Sequence, residues 1–244
     1  CSRSRQPRWG PRGLRSHTRA REYDAKGELI RSTKGKGGGS VYAWLAGPAR
    51  DWLWLSEAEW KSLVPAKPRK GMTLPLTRPV TYRICRFYLD DTCQGGHWFW
   101  ESAKQVRSAD LTVTVQEVSV GEIRLRLTGS ALLVNEDATT LLRCCEANFI
   151  GYLNYDRNRR AFTRFDVVAL GDYDLHKSTR QQQRTDITVA KVLGVAFDLA
   201  TPDTLGFGMP PYALYRGPEW DRAELREHTG PLDLRKFKTY FVAD

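Results

Sequence analysis

The sequence predicts an all-β or β-rich α+β domain, an antiparallel sandwich or barrel with one short accessory helix near residues 56–64. Three observations lead there. In Leu111-Thr-Val113-Thr-Val115 and Ile123-Arg-Leu125-Arg-Leu127 the apolar residues alternate with polar ones around a turn region at Gly121, the period of a strand that buries one face. A second such pair, Phe149 to Tyr155 and Phe162 to Leu170, flanks the turn Asp156 to Arg159, which reads as another hairpin. Helical periodicity is scarce and does not alternate with the strands, which argues against repeated βαβ units.

Taken in chain order, residues 1–21 intersperse arginine with Ser, Pro and Gly and hold too few apolar groups to offset the entropy of ordering, so a basic disordered tail is expected. Residues 22–244 then form a single β-rich globular domain. Its first signal is the turn Asp24-Ala25-Lys26-Gly27 between Arg21–Tyr23 and Glu28–Arg31. Lys34 to Ser40 reads KGKGGGS, a flexible connector, and Val41 to Leu55 carry Trp44, Trp52 and Trp54. Ser56 and Glu59 have the spacing of a helix capping box. Trp60 and Leu63 share one face of the short helix that follows, and Pro65 stands where it must stop. From Gly71 onward the strand period dominates. Thr185 to Leu199 supply a further strand, with Gly194 as an expected bulge or close approach.

The net charge of +10 is unevenly placed. Arg3, Arg5, Arg8, Arg12, Arg15, Arg19 and Arg21 have no acid among them, leaving only +3 for residues 22–244. A near-neutral body argues against a nucleic-acid partner, and a tail contact with phosphate or an anionic envelope polymer would be the exception. No run of eighteen apolar residues exists, so no transmembrane helix is expected. A first residue Cys1 without an apolar leader is expected of a mature product or a fragment. The five cysteines, Cys1, Cys85, Cys93, Cys144 and Cys145, are too few for a disulfide scaffold. Cys85 and Cys93 could close a small loop, whereas a bridge between the adjacent Cys144 and Cys145 would strain the peptide.

The most suggestive chemical spacing is Asp172-x-Asp174-x-His176. Positions i, i+2 and i+4 of an extended chain project to one side, so two carboxylates and an imidazole become a candidate divalent metal site. The competing reading is a polar segment closing the strand that ends near Gly171. Cys85, Cys93 and His97 form C-x7-C-x3-H, which lacks the C-x2-C knuckle of a zinc site, so the plainer expectation is that Cys85 and Cys144 or Cys145 are small buried apolar residues. No G-x-S-x-G elbow marks a nucleophile, and Ser130 has no identifiable histidine partner. Asp156 and Asp166 flank a hairpin turn and read as turn and edge residues. Trp52 with Trp54, and Trp98 with Trp100, fall at i, i+2, so each pair shares a strand face that either packs in the core or stacks a ligand.

Arg86-Phe-Tyr-Leu-Asp-Asp-Thr92, Gly151-Tyr-Leu-Asn-Tyr-Asp156 with Phe162 to Asp172, and Leu193 to Leu199 together resemble a family of β-rich proteins common in planctomycete bacteria. The similarity covers about residues 50–200. Many members of that family are exported, and no activity is established for it, so the resemblance implies a β-rich fold and an exported setting and carries no site residue. Tyr173-Asp174-Leu175-His176 stands where that family tends to have His-Trp-Gly, and Cys93-Gln94-Gly95 departs from its polar Asn/Thr-Arg-Gly segment. The function expected is a non-catalytic structural or binding module with a cell-envelope or protein partner. A metal-dependent enzyme built on Asp172, Asp174 and His176 is the alternative.

Overall fold

The computed structural model describes residues 14–23, 49–89, 100, 103–135, 141–177, 189–201 and 211. Its strands are β1 Leu14–Tyr23, β2 Ala49–Leu55, β3 Thr73–Pro75, β4 Val106–Val118, β5 Glu122–Asn135, β6 Leu141–Asp156, β7 Ala161–Lys177 and β8 Val189–Leu199. The α-helices are α1 Glu57–Lys61 and α2 Arg78–Tyr88, and a 3-10 turn spans Ala103–Gln105. All eight strands join one antiparallel sheet in the order β2-β1-β8-β7-β6-β5-β4-β3. The β-rich fold read from alternation is therefore present, as a single curled sheet instead of two stacked ones.

The alternating segments build that sheet as their pattern requires. On β5 the even-numbered Arg124 and Arg126 are exposed while Ile123, Leu125 and Leu127 are buried, and on β4 Leu111, Val113 and Val115 are buried opposite them. Ala131, Ala147 and Gly171 sit side by side in register on the inner face of β5, β6 and β7. A Cβ on Gly171 would lie 2.7 Å from the Glu146 carbonyl oxygen, and one on Gly151 2.7 Å from Val167 Cγ2. Such bare positions let a sheet bend inward without crowding.

The bend is filled by α2. Leu53 of β2, Ile84 of α2 and Leu111 of β4 meet Phe149, Phe165 and Phe197 around one internal gap too small to admit a water molecule. Strands near opposite ends of the sheet thus converge on a single helix. On one side α2 packs against β4. On the other, Tyr88 Oη donates to the Trp52 carbonyl at 2.6 Å and Arg83 Nη1 to the Trp54 carbonyl at 3.2 Å. Alternate carbonyls of a strand at the end of a sheet point away from its neighbour, so α2 side chains cover the open edge of β2 that would otherwise template pairing with another chain.

Helix α1 follows its sequence signal. The Ser56 hydroxyl accepts from the Glu59 N–H at 3.4 Å, and the Glu59 carboxylate accepts from the Ser56 N–H at 2.8 Å. Trp60 is buried on its inner face, 6.0 Å from Phe162 and 6.3 Å from Tyr155 between ring centroids, and Leu63 follows it into the core. Edge-on ring contacts of this kind are favourable beyond the area they bury.

Three expectations need correction. The basic tail through Arg21 gives way to β1, which starts at Leu14 and pairs with β2 on one side and β8 on the other; two flanking ladders supply what its weak apolar pattern does not. The single accessory helix becomes two, because Arg78–Tyr88 is helical, with Pro79 in its first turn and Val80, Ile84 and Phe87 buried. Of the two readings of Gly194, the bulge is absent and the close approach stays open: the register runs through it to Leu170 and to Arg21 without a shift. The turn at 24–27, the connector 34–40, and Cys93, His97 and Trp98 lie outside the described residues.

Candidate functional site

Among the described side chains the inward positions of the strands serve packing, so the candidate surface is sought on the outer face. There the four central strands bring matching rows together. Thr128, Ile150, Val168 and Ala196 stand in register across β5, β6, β7 and β8, and Ser130, Asn148, Leu170 and Gly194 form the next row. Ile150, Tyr152, Val168 and Leu170 are 42%, 46%, 45% and 52% exposed, so large apolar side chains lie open to water at the middle of the sheet. Isolated exposed apolar residues need no explanation, but adjacent ones on one sheet face are a common mark of a contact surface.

Charge brackets this strip. Arg126, the register partner of Tyr152, is exposed at one end, and Glu146 and Asp172, partners of each other, are exposed at the opposite end. None of the three has an ion-pair partner among the described residues. Their neighbours differ: Arg124 reaches Glu117 and Glu122 at 3.0 and 2.8 Å, and Arg164 reaches Asp166 at 2.6 Å while lying 5.5 Å from the Tyr152 ring.

Of the expected metal ligands, Asp172, Asp174 and His176 all fall on β7, and Asp172 is exposed on its outer face. Register sets Asp172 beside Glu146, Asp174 beside Cys144 and His176 beside Leu142. The side chains of Asp174 and His176 lie outside the described ones. On a regular strand the first and last of these α-carbons stand about 13 Å apart, a wide span for three ligands of one ion. No cluster of three or more His, Cys, Asp or Glu side chains positioned to hold a metal occurs among the described residues.

The aromatic pairs resolve differently from a stacking surface: Trp52, Trp54 and Trp100 are 5%, 4% and 0% exposed. Trp100 has a structural task. Its indole Nε1 donates to the Leu89 carbonyl at 2.7 Å and its N–H to the Arg86 carbonyl at 3.3 Å, satisfying oxygens that the end of α2 leaves open. Cys85 and Cys145 are fully buried, which bears out their reading as small core residues. Burial pushes the Cys85 thiol far above its ordinary value.

Alternation alone passed over the outer strip, yet it left a trace in the sequence. Where β6 reads Phe149-Ile-Gly-Tyr-Leu153 and β7 reads Val167-Val-Ala-Leu170, apolar residues occupy both parities. A strand with one solvated face has no packing reason to do so. No family model, curated protein or solved structure matches this chain.

Proposed function

We propose that the chain is a non-catalytic binding module whose contact surface is the outer face of β6 and β7. The carrying observation is the adjacent exposure of Ile150, Tyr152, Val168 and Leu170 at the centre of the sheet, where water contact with large apolar groups is unfavourable. Among the described residues the gap at the heart of the curl is too small for even a water molecule, which supports a surface role over a ligand-holding calyx. The resemblance to exported planctomycete proteins adds a cell-envelope setting to the proposal.

The test is a paired capture experiment on cell-envelope extract with the wild type and a Val168→Lys/Leu170→Lys variant. Both positions are exposed, so the variant should keep its melting temperature while losing association. Equal capture by the two forms would remove this face from consideration.

A further inference from the structure

Beyond the outer strip, we infer that one end of the sheet is a second contact surface, which docks the protein peripherally on an anionic lipid bilayer. Three turns meet at that end. Ser119–Glu122 closes the β4–β5 hairpin, with the Ser119 N–H donating to the Glu122 carbonyl at 2.8 Å. Asp156–Arg160 closes β6–β7, where the Asp156 carboxylate accepts from the Asn158 and Arg159 N–H groups at 2.8 and 2.9 Å. Arg157 ties these two together, its N–H donating to the Gly121 carbonyl and its Nη1 to the Ser119 carbonyl, both at 2.8 Å. The third, Arg69–Met72, is a tight turn with Gly71 at φ 82°, fastened to Val115 of β4 by hydrogen bonds from the Gly71 N–H and to the Met72 carbonyl.

The acids of this end are already taken. Glu117 and Glu122 hold Arg124, Asp156 lies 3.6 Å from Arg159, and Glu57 holds Lys61 on α1, which packs against the same end through Trp60. Lys67, Arg69, Lys70, Arg157 and Arg160 are all exposed, and none has an ion-pair partner among the described residues. Because residues 22–244 sum to only +3, the positive excess is local to this end, where it draws anions. Leu14, paired with Leu55 directly before α1, brings the chain into β1 here, so the segment with Arg3, Arg5, Arg8 and Arg12 is joined to the same end.

Cations alone would suit any polyanion, and the apolar side chains among them select lipid. Of the six large apolar side chains exposed among the described residues, the two outside the outer strip both fall here: Val120, 92% exposed on the tip of the β4–β5 hairpin, and Met72, 40% exposed. A soluble polyanion offers nothing to cover a valine, and among the described residues of this end no exposed aromatic ring is present to stack a base. At a bilayer the tip enters below the headgroups, while arginine and lysine stems lie along the apolar boundary and keep their charged ends on the phosphates. Met72 bonds to Val115, five residues from Val120 along β4, about 17 Å on a regular strand, so a flat and yielding partner meets both points at once. Each lysine or arginine at an anionic surface strengthens partitioning about fivefold, and salt weakens it by screening.

Co-sedimentation of the full chain with phosphatidylglycerol–phosphatidylcholine vesicles, and with phosphatidylcholine vesicles alone, tests this. Binding is expected to the anionic vesicles only, falling steeply with added salt. Lys67→Gln/Lys70→Gln/Arg160→Asn removes three free cations, with asparagine chosen because Arg160 has φ 53°. This variant should keep its melting temperature and bind about a hundredfold more weakly. Val120→Ser should weaken vesicle binding several-fold while leaving retention on heparin unchanged, since only a bilayer covers the valine. Val168→Lys/Leu170→Lys should bind vesicles no less well than the wild type, because the outer strip is a separate surface. Failure to bind anionic vesicles overturns the proposal, as does equal binding to both vesicle types or binding that the triple variant leaves intact. Heparin retention together with vesicle binding indifferent to Val120→Ser marks a general polyanion site and overturns it too.

Discussion

Arg83 lays both terminal nitrogens of its guanidinium against the Glu59 carboxylate, Nη2 to Oε1 at 2.5 Å and Nη1 to Oε2 at 2.8 Å. The same carboxylate accepts the Ser56 N–H that opens α1, and the same Nη1 reaches the Trp54 carbonyl on β2. One buried pair therefore ties both helices to the end of the sheet. The Arg83 side chain is only 1% exposed, so its charge depends on this partner. Removing one member of such a pair costs about 3–5 kcal/mol, because the other is left uncompensated. Glu59→Ala should lower the unfolding free energy by that amount in urea titrations, and Arg83→Ala by a similar one. A double variant should lose less than the two added together.

The pair also sets a pH dependence. Burial by itself would raise the Glu59 carboxyl, but the Arg83 hydrogen bonds and charge, with the Ser56 N–H and hydroxyl, outweigh it and hold the group below its ordinary 4.5. A depressed folded-state value gives stability that is present above about pH 4.5 and is lost as pH falls through that lower value. The urea midpoint of the wild type should fall on acidification below this point, and that of Glu59→Gln should fall less steeply. Parallel curves for the two proteins would show that Glu59 does not titrate as its contacts require.

Where side-chain pattern and fold share a cause, the sequence was readable. Alternation at 111–127 and 149–170 reflects burial of one sheet face, and those segments are β4 to β7. The Ser56–Glu59 capping box is a local device and appears as expected. α2 is not legible in the sequence because Val80, Thr81 and Ile84 are β-branched, and because Arg83 sits on its buried side as a charge whose ordinary place is in solvent. β1 escaped because its strand state comes from partners distant in sequence. The outer strip was legible only as a break in alternation, and its meaning needed the register that sets Ile150 beside Val168. The i, i+2, i+4 spacing of Asp172, Asp174 and His176 does place them on one strand, but the same extended spacing that turns them to one side also holds the first and last about 13 Å apart.

Trp60 anchors α1 on the end of the β6–β7 hairpin through Tyr155 and Phe162. Trp60→Ala should destabilise the protein by about 3–5 kcal/mol, as large-to-small changes in a packed core do. Trp60→Phe should retain most of that stability. Ser56→Ala, which removes only the capping oxygen, should cost about 1 kcal/mol. A loss for Trp60→Ala no larger than for Ser56→Ala would mean that the aromatic cluster does not hold this helix.

Gly171 tests whether the bend of the sheet needs a bare backbone. Its missing Cβ would stand 2.7 Å from the Glu146 oxygen and 2.8 Å from the Ala147 Cβ, and neither neighbour is a flexible side chain that can swing aside. Gly171→Ala should therefore destabilise by about 1–3 kcal/mol, although alanine is the better residue in an unstrained extended position. Gly121, where the nearest atom to an added Cβ is the Asn158 side-chain nitrogen at 3.7 Å, serves as the control, and Gly121→Ala should be close to neutral. Equal thermal midpoints for the two variants would deny the crowding at Gly171 any energetic weight.

Cys85 reports on the closure of α2 over the core. Its side chain is wholly buried and burial raises the thiol well above its ordinary 9.0, so the reactive thiolate is all but absent in the folded protein at neutral pH. Iodoacetamide at pH 8 should leave Cys85 unmodified in native protein, as read by peptide mass spectrometry, and should label it fully in urea. At sub-denaturing urea the labelling rate should follow the free energy of opening, since α2 must leave the sheet before the sulfur meets reagent. Glu59→Ala should then speed native labelling by about the factor its lost stability implies, roughly a hundredfold or more for 3 kcal/mol. Prompt labelling in the wild type would instead mean that α2 lifts readily, and that the hydrogen bonds from Tyr88 and Arg83 to the edge of β2 do not keep the curl shut.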